Sequence, residues 1–192
     1  MAQTLQEVSV TRAIFRQPTR IVVDLGCVDR PEFNACGSLE ALAERYKPDI
    51  IYGFDPSPTL DTTITEVAGV PVVLERKAAW LYDGEINFDD EWIRGRVGAI
   101  GVAPPTAVST GRIGTIGEGT LTAECFDFSP WLAEHGPAVV KMDIEGAEYG
   151  LLDRMLDDGT DRLISELLIE WHDQPDERII ERLTCPIVDW WM

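Results

Sequence analysis

A chain of 192 residues with 45% apolar content is long enough to enclose one sizeable core and too apolar to remain unfolded. Its formal net charge of −18 speaks against nucleic acid or an anionic membrane surface as partner, because either would repel it; Arg94, Arg96 and Arg112 make the one weak basic patch. Four cysteines show no CxxC pair and no zinc-like spacing with the two histidines, so free thiols in a reducing compartment are the simplest reading, with Cys27 and Cys36 near enough in sequence to meet.

Residues 1–19 have no apolar stretch of the signal-peptide kind and read as an N-terminal extension. No apolar run approaches the ~20 residues of a membrane-spanning helix. A cytoplasmic location, with neither membrane nor nucleic acid as partner, is the expectation. The spacing then predicts a buried strand over "RIVVDLG" and a helix over "SLEALAERY", with Ser38 as N-cap and Leu39, Leu42, Ala43 and Tyr46 on one face. "DIIYGFDP" reads as a second strand, "VPVVLERKAAW" as a third and "GEINFDD" as a short extra one. From Arg94 to Thr120 glycines and prolines break every period, which predicts a long loop or irregular hairpin inserted at 94–120.

Beyond it, "FDFSPWLAEHG" suggests a short helix and "PAVVKMDI" a strand. "AEYGLLDRMLDDG" predicts a helix packing through Ala147, Leu151, Leu152, Met155 and Leu156 and stopping at Gly159. "RLISELLIEWH" reads as a strand, "PDERIIERL" as a helix with proline near its first turn, and "CPIVDWWM" as a last strand. Alternating strands and helices with nearly continuous apolar strands predict a single α/β domain over 1–192: a mostly parallel central sheet with helices on both faces.

In such a sheet ligands bind beyond the carboxyl ends of the strands, where the order reverses. Acids gather at those ends: Asp24 before Gly26, Asp55 before Pro56, Asp143 with Glu145, and Glu170 before His172. Gly26 permits close backbone approach, and Asp55 can accept from both hydroxyls of a ribose. A dinucleotide would need further glycines for its pyrophosphate. The stretch "CVDRPEFNAC" offers none before Gly37, and its Asp29 and Glu32 would repel phosphates. A nucleoside without phosphates fits better, and S-adenosylmethionine is the common one. Helix capping or turn formation is the structural alternative for Asp24 and Asp55.

At this point "IVVDLG", "IIYGFDPSP", "RKAAWLYDGEINF" and above all "VVKMDIEGAEYGLL…LLIEWH" resemble the FkbM-type S-adenosylmethionine-dependent methyltransferases, over roughly Ile21 to Trp171. The resemblance implies a Rossmann-like class I methyltransferase sandwich, trimmed at one edge in so short a chain. It implies O-methylation of a hydroxyl on a sugar, glycan or small metabolite, with S-adenosylmethionine as cofactor. It also implies that Asp24, Leu25, Gly26 and Cys27 meet the methionine end, Asp55, Pro56 and Ser57 the ribose, and Lys77, Ala78 and Ala79 the surroundings of adenine. One departure stands out. The family has a compact G-x-N-x-G after the first strand, whereas here Asp55 follows Gly26 by more than the about 20 residues usual for nucleotide sites, so the excess lies in the cofactor loop. A cofactor-binding or interaction module of the same fold without catalysis is the alternative from another class, and a nucleic-acid or nucleoside methyltransferase the third.

O-methylation needs an oriented hydroxyl and a base for its proton. Asp143 and Glu145 flank Ile144, and with that residue extended they point the same way. Glu145 also stands where a helix start favours negative charge. His172 titrates nearest neutrality and is the candidate base, with Glu170 to orient it. Glu148 reads as a first-turn helix residue and His135 as a C-terminal helix partner. Mg²⁺ held by Asp143, Glu145 and Asp173 is the alternative use of the acids. Trp80, Trp131, Trp171, Trp190 and Trp191 are either core or a sugar-stacking platform.

Overall fold

The computed structural model describes residues 20–28, 37–88, 99–100, 121–144, 146–172 and 174–190. Two sheets organise them. The larger has seven strands in the order β11-β10-β9-β1-β2-β4-β3, where β1 is Ile21–Leu25, β2 Ile50–Phe54, β3 Glu66–Val67, β4 Val70–Glu75, β9 Ala138–Met142, β10 Ile164–Ile169 and β11 Ile187–Asp189. All pairings are parallel except the β3–β4 hairpin. From β1 the chain first builds outward through β2 and β4, then returns to place β9 on the other side of β1. The order therefore reverses between β1 and β9.

Both faces of this sheet are covered, which is why its central strands are mostly apolar. The period-two alternation sorts them. Val23, Leu25, Val140, Met142, Leu167 and Ile169 meet Phe128 and Leu132 of α2 (Phe128–His135), Leu151, Leu152 and Met155 of α3 (Glu148–Asp158) and Ile179 of α4 (Glu177–Arg182). Val22, Ile51, Val72, Leu74 and Leu168 meet Leu39, Leu42 and Ala43 of α1 (Gly37–Tyr46). On α3 Leu151, Leu152, Met155 and Leu156 form the expected packing stripe, Ala147 stands instead at the N-cap and packs with Ala78, Trp80 and Ile86, and Gly159 ends the helix in the left-handed region at φ 79°. On α4 the cap is Asp176, whose side chain accepts from Arg178 N, so Pro175 precedes the cap instead of opening the first turn. Ser38 lies inside α1, buried, and its hydroxyl donates to Asp24 Oδ2 at 2.7 Å.

The predicted third strand divides in two. Arg76 turns its guanidinium to Leu60 O at 2.9 and 2.8 Å, and Lys77 reaches Glu75 and Glu124, each at 3.2 Å. Two cations with those partners cannot continue through a buried parallel strand. After β4 the chain crosses instead into a second sheet of order β5-β8-β6-β7, with β5 Ala78–Trp80, β6 Gly84–Phe88, β7 Ala99–Ile100 and β8 Leu121–Asp127. The pairing of β7 with β6 places one short strand inside the expected 94–120 loop; the rest of that loop and residues 1–19 lie outside the described residues.

Tryptophans are used in the core. Trp80, Trp171 and Trp190 are buried, and Trp131 packs edge-on to Tyr52, Phe54 and Phe126 and stacks on Phe128 and His135. Trp191 lies outside the described residues. Among the described residues no helix is long and apolar enough to cross a membrane.

Candidate functional site

The carboxyl ends of β1, β2, β9 and β10 come together at the reversal point, and the described acids there, Asp24, Asp55, Asp143 and Glu170, are near neighbours. Register places Lys141 of β9 directly beside Asp24 of β1. Both side chains are 0% exposed, and the ammonium lies 3.1 Å from Asp24 Oδ1. Lys141 also donates to Gly26 O at 2.6 Å and stands 3.4 Å from Asp143 Oδ2. A lysine taken wholly out of water is tolerable only with such a set of oxygens around it. Asp24 is thus an internal counter-ion, held between Lys141 and Ser38.

Gly26 has φ +77°, and a Cβ there would stand 1.7 Å from the carbonyl oxygen of Asp143. The close approach that this glycine permits is to the β9 end of its own chain. Leu25 and Cys27 are fully buried. Burial, then the charges of Asp24 and Asp55, push the Cys27 thiol well above its ordinary range, so it is not a reactive cysteine. Cys36 lies outside the described residues.

Asp55, 3% exposed, turns back on its own loop. Its Oδ2 accepts from Val28 N at 3.0 Å and its Oδ1 from Ser57 N at 2.8 Å, a turn of the kind short acids form locally. Burial raises its pKa to about 6 despite those two amides. Ser57 is buried, Pro56 half-buried, and Ala78 and Ala79 are buried in β5. Turn formation, the structural alternative, describes the contact of Asp55 with Ser57 N, whereas Asp24 is neither a cap nor a turn residue but a buried counter-ion.

The β9–β10 side is more open. Asp143 is 23% and His172 21% exposed, and His172 Nε2 lies 3.4 Å from Asp143 Oδ1. On the other ring nitrogen, His172 Nδ1 is 2.9 Å from Glu148 Oε1, which also accepts from Ile144 N at 2.9 Å. Glu148, the first residue of α3, is fully buried. Glu148 takes the Nδ1 side of His172, where Glu170 was expected to orient the ring. Glu170 is near enough for its carboxyl to be raised by burial and by Asp143, and lowered by His172. Glu145 and Asp173 lie outside the described residues, and among the described residues no group of three or more His, Cys, Asp or Glu side chains is arranged to hold a metal ion. His135 binds Trp131 O at 2.8 Å and takes no part.

Sequence reasoning missed Lys141 and Glu148. The signal for Lys141 was present: a lysine on the Val139 face of an apolar strand can only be neutralised by an acid on a neighbour. Glu148 carried no such signal, because a helix start explains an acid by itself. Comparison with protein-family models, with curated proteins and with solved structures finds no match to this chain.

Proposed function

We propose that this chain is an S-adenosylmethionine-dependent O-methyltransferase of Rossmann-like architecture, acting on a hydroxyl of a sugar, glycan or small metabolite. The observation that carries the reading is His172, held between Asp143 and Glu148 at the ends of β9 and β10, beside the crevice where strand order reverses. A partly exposed imidazole with a carboxylate on each side is equipped to take a proton and to stabilise the cation it becomes.

The donor set fits a nucleoside with one reassignment. Each oxygen of Asp55 accepts one backbone N–H and keeps a second lone pair, enough for the two hydroxyls of a ribose. Asp24 is spent on Lys141, so the ammonium of a methionine end falls to the more open carboxylates, Asp143 and Glu170. Bound there, S-adenosylmethionine supplies a methyl group on a sulfonium centre, open to attack by oxygen. The protein's part is then positional. His172 Nε2 accepts the hydrogen bond of the incoming hydroxyl and takes its proton as the oxygen attacks, while Asp143 stabilises the imidazolium that forms. The −18 charge favours a neutral acceptor over nucleic acid.

Calorimetric titration with S-adenosylhomocysteine comes first, then methyl transfer from labelled cofactor to pooled glycans and hydroxylated metabolites. His172→Ala should lower turnover by ~10²–10⁴-fold with the nucleoside's affinity unchanged. Full activity in that variant removes His172 from the chemistry. A second reading, a cofactor-binding or interaction module without catalysis, is favoured by the internal use of Asp24 and Asp55, which leaves fewer groups for a cofactor. S-adenosylhomocysteine binding without transfer to any acceptor would select its cofactor-binding form, and no binding at all would leave only the interaction module.

A further inference from the structure

Glu148 enters the chemistry above only as one of the two carboxylates beside His172, yet its bonding is more specific than that. It is fully buried, and its Oε1 receives both Ile144 N and His172 Nδ1, each at 2.9 Å. Its Oε2 is buried and has no hydrogen-bond partner among the described residues. One oxygen thus does all the bonding, and it ties the turn after β9 to the histidine that follows β10. We propose that Glu148 is a positioning residue: it fixes neutral His172 as the tautomer protonated on Nδ1, which leaves the Nε2 lone pair facing Asp143 and the crevice.

The physical reason is the inventory of donors. A carboxylate only accepts, and Ile144 N–H only donates. A nitrogen 2.9 Å from that oxygen must therefore carry the hydrogen. Neutral imidazole has one N–H, so its placement at Nδ1 makes Nε2 the acceptor. Without Glu148 the Asp143 carboxylate, 3.4 Å from Nε2, favours a proton on that nitrogen instead, and an imidazole protonated there cannot take a proton from the hydroxyl in front of it. This deepens the methyltransferase reading and rests on it for the rate, but the tautomer is measurable without any activity.

Long-range ¹H–¹⁵N correlations of the full chain, recorded above the titration of the imidazole, report which ring nitrogen bears the proton. Wild type should show it on Nδ1. Glu148→Gln, whose amide oxygen can occupy the Oε1 position, should keep that tautomer and stay within about tenfold of wild-type turnover. Glu148→Met, similar in volume but with no such acceptor, should lose the tautomer and ~10²–10⁴-fold in turnover. Adding it to His172→Ala should lower the remaining rate no further, because Glu148 acts only through the ring. A proton on Nε2 in wild type overturns the proposal outright, even if Glu148→Met does not fold. So does an Nδ1 proton that survives Glu148→Met. The expected tautomers with no transfer to any acceptor would uphold the role of Glu148 and sink the enzymatic reading alone.

Discussion

Gly26 and Gly159 both adopt positive φ, at +77° and +79°, but a Cβ would meet very different surroundings at each. At Gly159 it would meet nothing within 4 Å, so alanine there pays only the left-handed backbone penalty, ~1–2 kcal/mol. At Gly26 it would overlap the Asp143 carbonyl, so the ends of β1 and β9 must also separate. Urea unfolding should find Gly26→Ala clearly less stable than Gly159→Ala; equal losses would show that the strand ends yield freely. Asp55 makes a prediction of opposite character. Its pKa is raised from 3.8 to about 6, so between those values the folded chain keeps a proton that the unfolded chain has released. Its contribution is full below the lower value and is lost as pH rises through the upper. A shift of about two units corresponds to ~3 kcal/mol. Asp55→Asn cannot titrate, so the stability of wild type minus that of the variant should fall by about that amount from pH ~4 to ~7. A flat difference would mean that Asp55 is better solvated than its burial suggests.

The elements themselves were mostly legible, because strands buried on both faces leave apolar runs and α3 leaves a helical stripe with a glycine stop. What sequence could not give was partnership across elements. "VPVVLERKAAW" reads as one strand until Arg76 is seen reaching Leu60 and Lys77 reaching Glu124 in the second sheet. The crevice acids divide the same way. Their position at strand ends was readable, whereas the assignment of Asp24 to Lys141 and of Glu148 to His172 needed the register of β1 against β9 and the seat of α3. The Lys141–Asp24 pair can be tested as a unit joining β1, β9 and, through Ser38, α1. Removing one member strands a buried charge, at a cost of ~3–5 kcal/mol, while replacing both by apolar residues is often near neutral. Lys141→Met should therefore be strongly destabilising, and Lys141→Met with Asp24→Leu markedly less so. Additive losses in that cycle would show that the two charges are not energetically coupled.

At the scale of the molecule the question is which electrostatic effect dominates, attraction in the ion pairs or repulsion among the excess acids. The chain carries 34 acidic and 16 basic side chains. Several of the cations are engaged at the surface, as in Arg45–Glu166, Arg182–Asp157 and Arg154–Asp158. Exposed pairs of that kind contribute ~0–1 kcal/mol each, and salt weakens them only slightly in absolute terms. The deep pair, Lys141–Asp24, is out of reach of counter-ions. Repulsion among the surplus carboxylates is long-ranged, and folding concentrates it. Raising ionic strength from about 0.01 to about 0.15 M shortens the screening length from about 30 to about 8 Å, less than the separation of most surface charges. The repulsive part should therefore be lost first, and the thermal midpoint should rise with potassium chloride over that range at neutral pH. The same rise should shrink toward pH 4–5, where the carboxylates begin to take up protons and the surplus disappears. A midpoint that falls with salt at neutral pH would mean that the surface pairs outweigh the net charge, and that the acids are arranged to answer the cations more closely than their numbers imply.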